Sequence, residues 1–206
     1  MSSDLIQDEL RKLVELFQVN IAQYKSPNYD ESNTRTDFID KFFELLGWDV
    51  RNTAGFSEQY RDVVREDRVV IDNRPKAPDY SFRIGGYRKF FVEAKKPSVN
   101  IKEEISPAFQ IRRYGYTAKL ALSVLTDFEE FAVYDTRIKP HKDDKASTAR
   151  IFYCRFDQYL EKSTFENYDT NFDYIVGTPT KYQYWFHHGD TKKHEEVQRA
   201  ERRVQR

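Results

Sequence analysis

Asp79, Glu93 and Lys95 are the side chains of this 206-residue sequence whose types and spacing point to chemistry. Glu93 and Lys95 lie two apart in Lys89-Phe90-Phe91-Val92-Glu93-Ala94-Lys95, so on a strand they share one face with Phe91. Phe90, Val92 and Ala94 take the other face. Asp79 stands before a second run, Tyr80-Ser81-Phe82-Arg83-Ile84, which joins the first through Gly85-Gly86. Two β-type runs joined by glycines that take positive φ at little cost read as a hairpin. The hairpin carries a second carboxylate toward Glu93. A hard divalent cation such as Mg²⁺ takes one or two carboxylates plus water and substrate phosphate. Such an ion orients a water, lowers its pKa and stabilises charge on a phosphate. An ammonium on the same face can hold that water or assist its deprotonation, and it offsets developing negative charge. The set suggests metal-assisted phosphodiester hydrolysis. The plainer reading of the same residues is an Asp capping a turn and an exposed Glu–Lys pair on an edge strand.

Other elements must hold these groups in place. Residues 4–24 space Leu5, Ile6, Leu10, Leu13, Val14, Leu16, Phe17 and Ile21 as one face of an amphipathic helix, which Lys25-Ser26-Pro27-Asn28 breaks. A second helix is expected from about residue 30 to 46, with Glu31 in its first turn and Gly47 as its stop. Glu31 either points at the metal or complements the helix dipole and pairs with Arg35 at i,i+4. Trp48-Asp49-Val50-Arg51 reads as a first strand, residues 68–72 as another, and residues 73–76 as a turn. Pro97 ends the metal-site strand, and a helix starting at Glu103 or Pro107 runs to Thr117. Gln110 and Tyr114, one turn apart, share a face of that helix. Leu120–Leu125 reads as a central strand buried on both faces, Phe131–Asp135 as its neighbour, Ile151–Phe156 as a further strand and residues 157–162 as a short helix. This order predicts an α/β fold with a mixed central sheet flanked by helices.

Taken together, three motifs in order resemble a known family. Pro78-Asp79, a hairpin spacer and Glu93-Ala94-Lys95 resemble the PD-(D/E)XK nuclease signature. Glu31 to Ile39 followed by Phe42 to Trp48 looks like the helix that opens this fold in restriction enzymes, and Gln110-Ile111-Arg112-Arg113-Tyr114 matches the QxxxY motif of Type I restriction subunits and single-chain Type IIG enzymes. The resemblance spans roughly residues 28–137. It implies a restriction-endonuclease-like core over residues 28–137; outside it, the helical spacing makes residues 1–27 an extra N-terminal helix packed on that core, and residues 138–206 are expected to form a C-terminal extension leading toward a helical connector. By this resemblance Asp79 and Glu93 bind Mg²⁺, with Mn²⁺ as a substitute, Lys95 assists the water, and Gln110, Tyr114 and Glu31 support them. Arg35, Arg112 and Arg113 become candidate contacts to DNA phosphate. The implied activity is Mg²⁺-dependent cleavage of double-stranded DNA. Implied partners are methyltransferase and target-recognition or translocase modules, and a transient homodimer for cutting both strands. The alternative is a catalytically inactive nuclease-like module that binds DNA or serves assembly.

Composition sets the bounds. Hydrophobic residues make up 39% and charged residues 33%, with 16 Phe and 14 Tyr, which suggests a core built on rings. Formal net charge is +0, so a DNA surface must come from local segregation of charge. The single cysteine, Cys154, excludes an intrachain disulfide and a cysteine zinc cluster. His141, His187 and His188 match no zinc spacing. No apolar run approaches the ~18 residues of a membrane span, and MSSDLIQDEL lacks the shape of a signal peptide, so a cytoplasmic protein is expected. The tail from Thr191 is charged, has almost nothing to bury and stops without a helix-ending signal, as a truncated connector would.

Overall fold

The computed structural model describes residues 3–71 and 74–161. The elements are helices α1 (Ser3–Val19), α2 (Ile21–Tyr24), α3 (Glu31–Thr34), α4 (Asp40–Leu45) and α5 (Ile105–Thr117), and strands β1 (Val63–Arg65), β2 (Val69–Ile71), β3 (Arg74–Lys76), β4 (Tyr80–Ile84), β5 (Tyr87–Ala94), β6 (Leu122–Thr126), β7 (Glu130–Asp135) and β8 (Arg150–Arg155). Six strands form one sheet in the order β1-β4-β5-β6-β7-β8, while β2 and β3 pair separately. Among the described residues only β5 and β6 run parallel, with α5 as the crossover between them, and every other pair is antiparallel. This is the mixed sheet with flanking helices of a restriction-endonuclease-like fold.

The hairpin forms where the glycines allow it. Gly85 and Gly86 adopt φ of 57° and 83°, and Ile84 faces Tyr87 across the turn. Beyond it, Phe82 stacks on its cross-strand partner Phe90 with ring centroids 4.6 Å apart. Period-two alternation then divides β5 between two cores. Phe90, Val92 and Ala94 join Leu10, Phe17, Phe38 and Phe43 on the side of α1 and α4, whereas Phe91 joins Ala108 and Ile111 of α5. The expectation of a ring-built core holds on the first side. Phe17 lies 5.2 Å from both Phe38 and Phe128 and 5.0 Å from Phe156.

The second helix is interrupted. A π-helical turn, Arg35–Ile39, separates α3 from α4. It divides a polar start carrying Glu31 and Arg35 from an apolar remainder, with Phe38, Ile39, Phe42 and Phe43 buried. Two buried acids then fix neighbouring elements to the hairpin, Asp40 from α4 and Asp67 from the β1–β2 connection. Asp40 accepts from the Tyr80 hydroxyl at 2.8 Å and from Arg65, and Asp67 accepts from Arg83 at 2.7 Å and from both Arg88 nitrogens at 2.7 and 2.8 Å. Burial opposes the Asp67 carboxylate, but its bonds to Arg88 and Arg83 hold its pKa below the ordinary value.

Several local expectations need correction. Trp48–Arg51 is a turn, not a strand. Gly47, at φ 91°, ends α4, and Asp49 accepts from the Thr53 and Ala54 amides at 2.6 and 2.8 Å, which curls the chain while Trp48 and Val50 drop into the core. Arg74–Lys76 is strand β3 rather than a turn, paired along β2 with Pro75 opposite Val70. Asn20 splits the first helix into α1 and α2. The expected short helix at 157–162 is a single 3₁₀ turn, Phe156–Gln158, within the described residues. Strand β8 hydrogen-bonds to β7, so the sheet runs past residue 137 to Arg155. His187, His188 and the tail from Thr191 lie outside the described residues.

Candidate active site

Asp79 directly precedes β4 and Glu93 is the penultimate residue of β5, with Tyr80 registered against Val92. The hairpin therefore sets Asp79 beside the end of β5. Its Oδ2 accepts the Ala94 amide at 2.7 Å, and its Oδ1 accepts from the Arg35 guanidinium at 2.8 Å. Asp79 thus grips the peptide next to Glu93, and the two carboxylates reach the same end of the sheet.

Glu93 is 5% exposed and faces α5. Its Oε1 accepts from Gln110 Nε2 at 2.6 Å and from Lys95 Nζ at 3.0 Å. Its Oε2 is buried with no hydrogen-bond partner. A buried carboxylate oxygen without a donor costs free energy that a cation or a proton would relieve. Burial pushes the Glu93 carboxyl up to about 7; Asp79 and Glu31 add to the rise, and Lys95 opposes it.

Lys95 closes the group. Its ammonium donates to the Ala94 carbonyl at 2.7 Å, to Glu93 at 3.0 Å and to Glu31 Oε2 at 3.3 Å. Its amide donates to the Thr126 carbonyl at 3.0 Å, which fixes the segment against the end of β6. Burial alone would lower the lysine pKa, but Glu93, Glu31 and Asp79 outweigh it and raise the value above normal. The ammonium is therefore held charged at neutral pH.

Glu31 and Arg35 arrive from the start of the second helix. Asp30 caps it, accepting the Asn33 amide at 2.8 Å. Neither Glu31 nor Arg35 relies on the local i,i+4 pairing weighed from sequence: Glu31 meets Lys95, and Arg35 meets Asp79. Gln110 is set by the close approach of α5 to the sheet. A Cβ on Gly115 would come 2.6 Å from both Ser123 Oγ and Thr136 Cγ2, so only glycine lets the helix lie this near. Tyr114 is buried on the same helix, and burial together with the Glu93 charge raises its hydroxyl pKa.

The expected DNA contacts fare unequally. Arg112 is corrected: it is 1% exposed and turned inward, donating to Asp144 at 2.8 Å. The helix places it one residue beyond buried Ile111, and it ties down the loop that holds Asp144. Arg113 is half-buried, with its guanidinium 5.9 Å from the Phe109 ring. Arg35 is engaged by Asp79.

Among the described residues no three His, Cys, Asp or Glu side chains form a ready-made metal cage. The donor set still fits Mg²⁺, which keeps several waters and needs only one or two carboxylates with substrate phosphate. Asp79 and the unpaired Glu93 oxygen would supply them. Glu31, bound to Lys95, belongs to the ammonium rather than to this pair.

A mixed sheet with two carboxylates and an ammonium at the ends of adjoining strands defines a restriction-endonuclease-like domain. Residues 62–142 match the family described as Type I restriction enzyme R protein N terminus. Over 158 residues the chain is 42% identical to the Type II restriction enzyme and methyltransferase RM.Eco57I of Escherichia coli, an alignment covering 76% of this chain and 16% of that protein. The chain thus spans about a sixth of that relative's length. No solved structure gives a significant match. By these relationships the chain is similar to the nuclease domains of restriction enzymes.

Proposed function

We propose that the chain is a Mg²⁺-dependent endodeoxyribonuclease domain of the PD-(D/E)XK type, the cleavage module of a larger restriction–modification enzyme. The observation that carries this reading is the buried, unpartnered Oε2 of Glu93, beside Asp79 and opposite an ammonium held on Oε1. Asp79 and Glu93 would hold the ion. When bound, it would supply a lowered water pKa and charge stabilisation at the scissile phosphate.

The chain's own groups do the rest. Arg35 and the Ala94 amide fix both Asp79 oxygens, and Gln110 fixes Glu93, so neither carboxylate is free to rotate. Lys95, held charged, orients the attacking water and offsets charge on the phosphate; its electrostatics favour a donor over a base. Glu31, which also accepts from the ammonium, helps keep it in place. Tyr114 and Arg113 offer hydroxyl and guanidinium groups to the DNA backbone. Base reading and methylation belong to other modules, and cutting both strands calls for two copies of the domain. Within the described residues no helix is long and apolar enough to cross a membrane.

The test is nicking of supercoiled plasmid with Mg²⁺ or Mn²⁺ by the wild type, Asp79→Ala and Lys95→Ala, alongside calorimetric metal binding. The expected result is nicking by wild type alone, with metal binding lost in Asp79→Ala and kept in Lys95→Ala. Equal cleavage by all three proteins overturns the assignment. Metal-independent DNA binding with no cleavage by any of them favours the inactive assembly module.

A further inference from the structure

Beyond the catalytic group, the same end of the sheet carries a small polar cleft of about 210 Å³. It is lined by Lys25 from the loop after α2, Pro97 and Lys102 from the segment after β5, Glu129 from the β6–β7 connection, Glu130 at the start of β7, and Arg155 at the end of β8. Its volume is below that of pockets for drug-sized ligands, roughly 300 to 1,000 Å³, and suits one small charged group.

The charges are sorted by depth. Glu129 and Glu130 are buried and already satisfied: Glu129 accepts from Lys25 at 2.6 Å and Arg155 at 3.1 Å, while Glu130 accepts from the Ile101 amide at 2.9 Å and from the Tyr153 hydroxyl. The cations stand at the rim. Lys25 and Arg155 are 46% and 44% exposed, and Lys102 is exposed with its ammonium 5.4 Å from the Tyr153 ring. Arg150 braces that corner, 5.0 Å from the same ring and donating to the Lys102 carbonyl at 2.9 Å. Asp157 approaches the outer side of Arg155 at 4.0 Å and is itself exposed. An outward ring of ammonium and guanidinium groups on a floor of satisfied acids recognises an anion, and a chain of neutral formal charge needs such local sorting to hold DNA.

The cleft adjoins the catalytic group. Pro97 is two residues past Lys95, a reach of at most about 7 Å, and the Lys95 amide is bonded to Thr126 just before the acids of the floor. The Lys25 loop leads directly to Glu31, which touches Lys95. We propose that Lys25, Lys102 and Arg155 form a subsite for a DNA backbone phosphate flanking the scissile one, holding the strand so that the scissile phosphate meets Asp79, Glu93 and Lys95. This subsite rests on the nuclease reading for its ligand, and it reads no base.

The experiment measures binding of a short labelled DNA duplex by fluorescence anisotropy from about 50 to about 200 mM salt, without divalent metal, for wild type, Lys102→Ala, Lys25→Ala/Lys102→Ala and the distant control Lys41→Ala. Each lost phosphate contact should flatten the slope of log affinity against log salt by about 1. The expected result is a shallower slope in Lys102→Ala, a still shallower one in the double variant with roughly tenfold weaker binding at the lower salt, and no change in Lys41→Ala. Melting curves matching wild type establish that the variants fold. Slopes equal to wild type in both subsite variants overturn the proposal, as does an equal effect of Lys41→Ala or a wild type that binds no duplex. Plasmid nicking keeps the two readings apart. Wild-type nicking with unaltered slopes sinks the subsite alone, whereas altered slopes without wild-type nicking support the subsite and sink the nuclease reading.

Discussion

Arg35 donates to Asp79 Oδ1 at 2.8 Å across 44 positions of sequence, and this ion pair joins the second helix to the residue that leads into the β4–β5 hairpin. The remaining Asp79 oxygen accepts the Ala94 amide, so the carboxylate is held at both ends. Groups that orient metal ligands commonly contribute 10–100-fold in affinity or activity, about 1.4 to 2.7 kcal/mol. Arg35→Ala should weaken Mg²⁺ binding, measured by calorimetry, and plasmid nicking by about that factor. Arg35→Lys should recover part of the loss, because a point charge replaces one of the fork's donors. Unaltered metal affinity in Arg35→Ala would show that Asp79 needs no such support.

Glu93 makes stability depend on pH. Its carboxyl rises from 4.5 to about 7 in the folded protein, so the fold favours the neutral form. The contribution is fully present below about 4.5 and is lost as pH rises through about 7. For metal-free protein the loss between those limits is roughly 3 kcal/mol. Urea titrations should show stability falling from pH 5 toward pH 8, with that part of the slope absent in Glu93→Gln. Because cation and proton compete for the same oxygens, Mg²⁺ affinity should rise over the same interval, and added Mg²⁺ should reverse the wild-type decline. A flat wild-type profile matching Glu93→Gln would contradict the assigned shift.

Gly115 is the contact through which α5 reaches the sheet. Gly115→Ala places a methyl group 2.6 Å from Ser123 Oγ and Thr136 Cγ2, both on strands or turns that cannot yield easily. Overpacking of this kind costs about 1–3 kcal/mol. Denaturant unfolding should register that loss, and nicking should fall further than stability does, because the helix carries Gln110 against Glu93. Ser123→Ala in the same background should restore part of the stability; failure to do so would place the clash elsewhere.

Tyr80 hydroxyl and Arg65 together satisfy the buried Asp40 carboxylate. Tyr80→Phe leaves one acceptor without its donor, which costs about 1–3 kcal/mol. The same variant should leave Mg²⁺ affinity nearly unchanged, since Tyr80 points away from Glu93 into the core beside α4. Thermal unfolding with and without Mg²⁺ separates the two effects.

The hairpin was legible because its signal is local. Gly85-Gly86 and the alternation through Phe90 to Lys95 dictate turn, faces and the Glu93–Lys95 pairing within a few residues. Gln110 was found through its motif, and its bond to Glu93 follows from the crossover that puts α5 over β5. Long-range partners were not legible. Nothing near Arg35 names Asp79, so a one-turn pairing with Glu31 looked equally sound. Arg112 looked like a surface cation because charge suggests solvent; its carboxylate partner, Asp144, sits 32 positions downstream in an irregular loop. Trp48–Arg51 shows the converse error. Alternating apolar residues also arise when a curled turn drops two side chains into a core, and the Asp49 side-chain bonds that cause the curl leave no periodicity to read.

The parallel register of β5 on β6, with Glu93 opposite Leu125 and Ala94 opposite Thr126, has a consequence for assembly. Slipping that register by one residue exchanges the two faces of the strand. Glu93 and Lys95 would then be driven among the phenylalanines beneath α1 and α4, away from Gln110. Because Gln110 lies on α5, which joins β5 to β6, its bond to Glu93 can form only after the crossover has closed. A chain whose crossover has not closed would leave Glu93 without the Gln110 donor that fixes its Oε1.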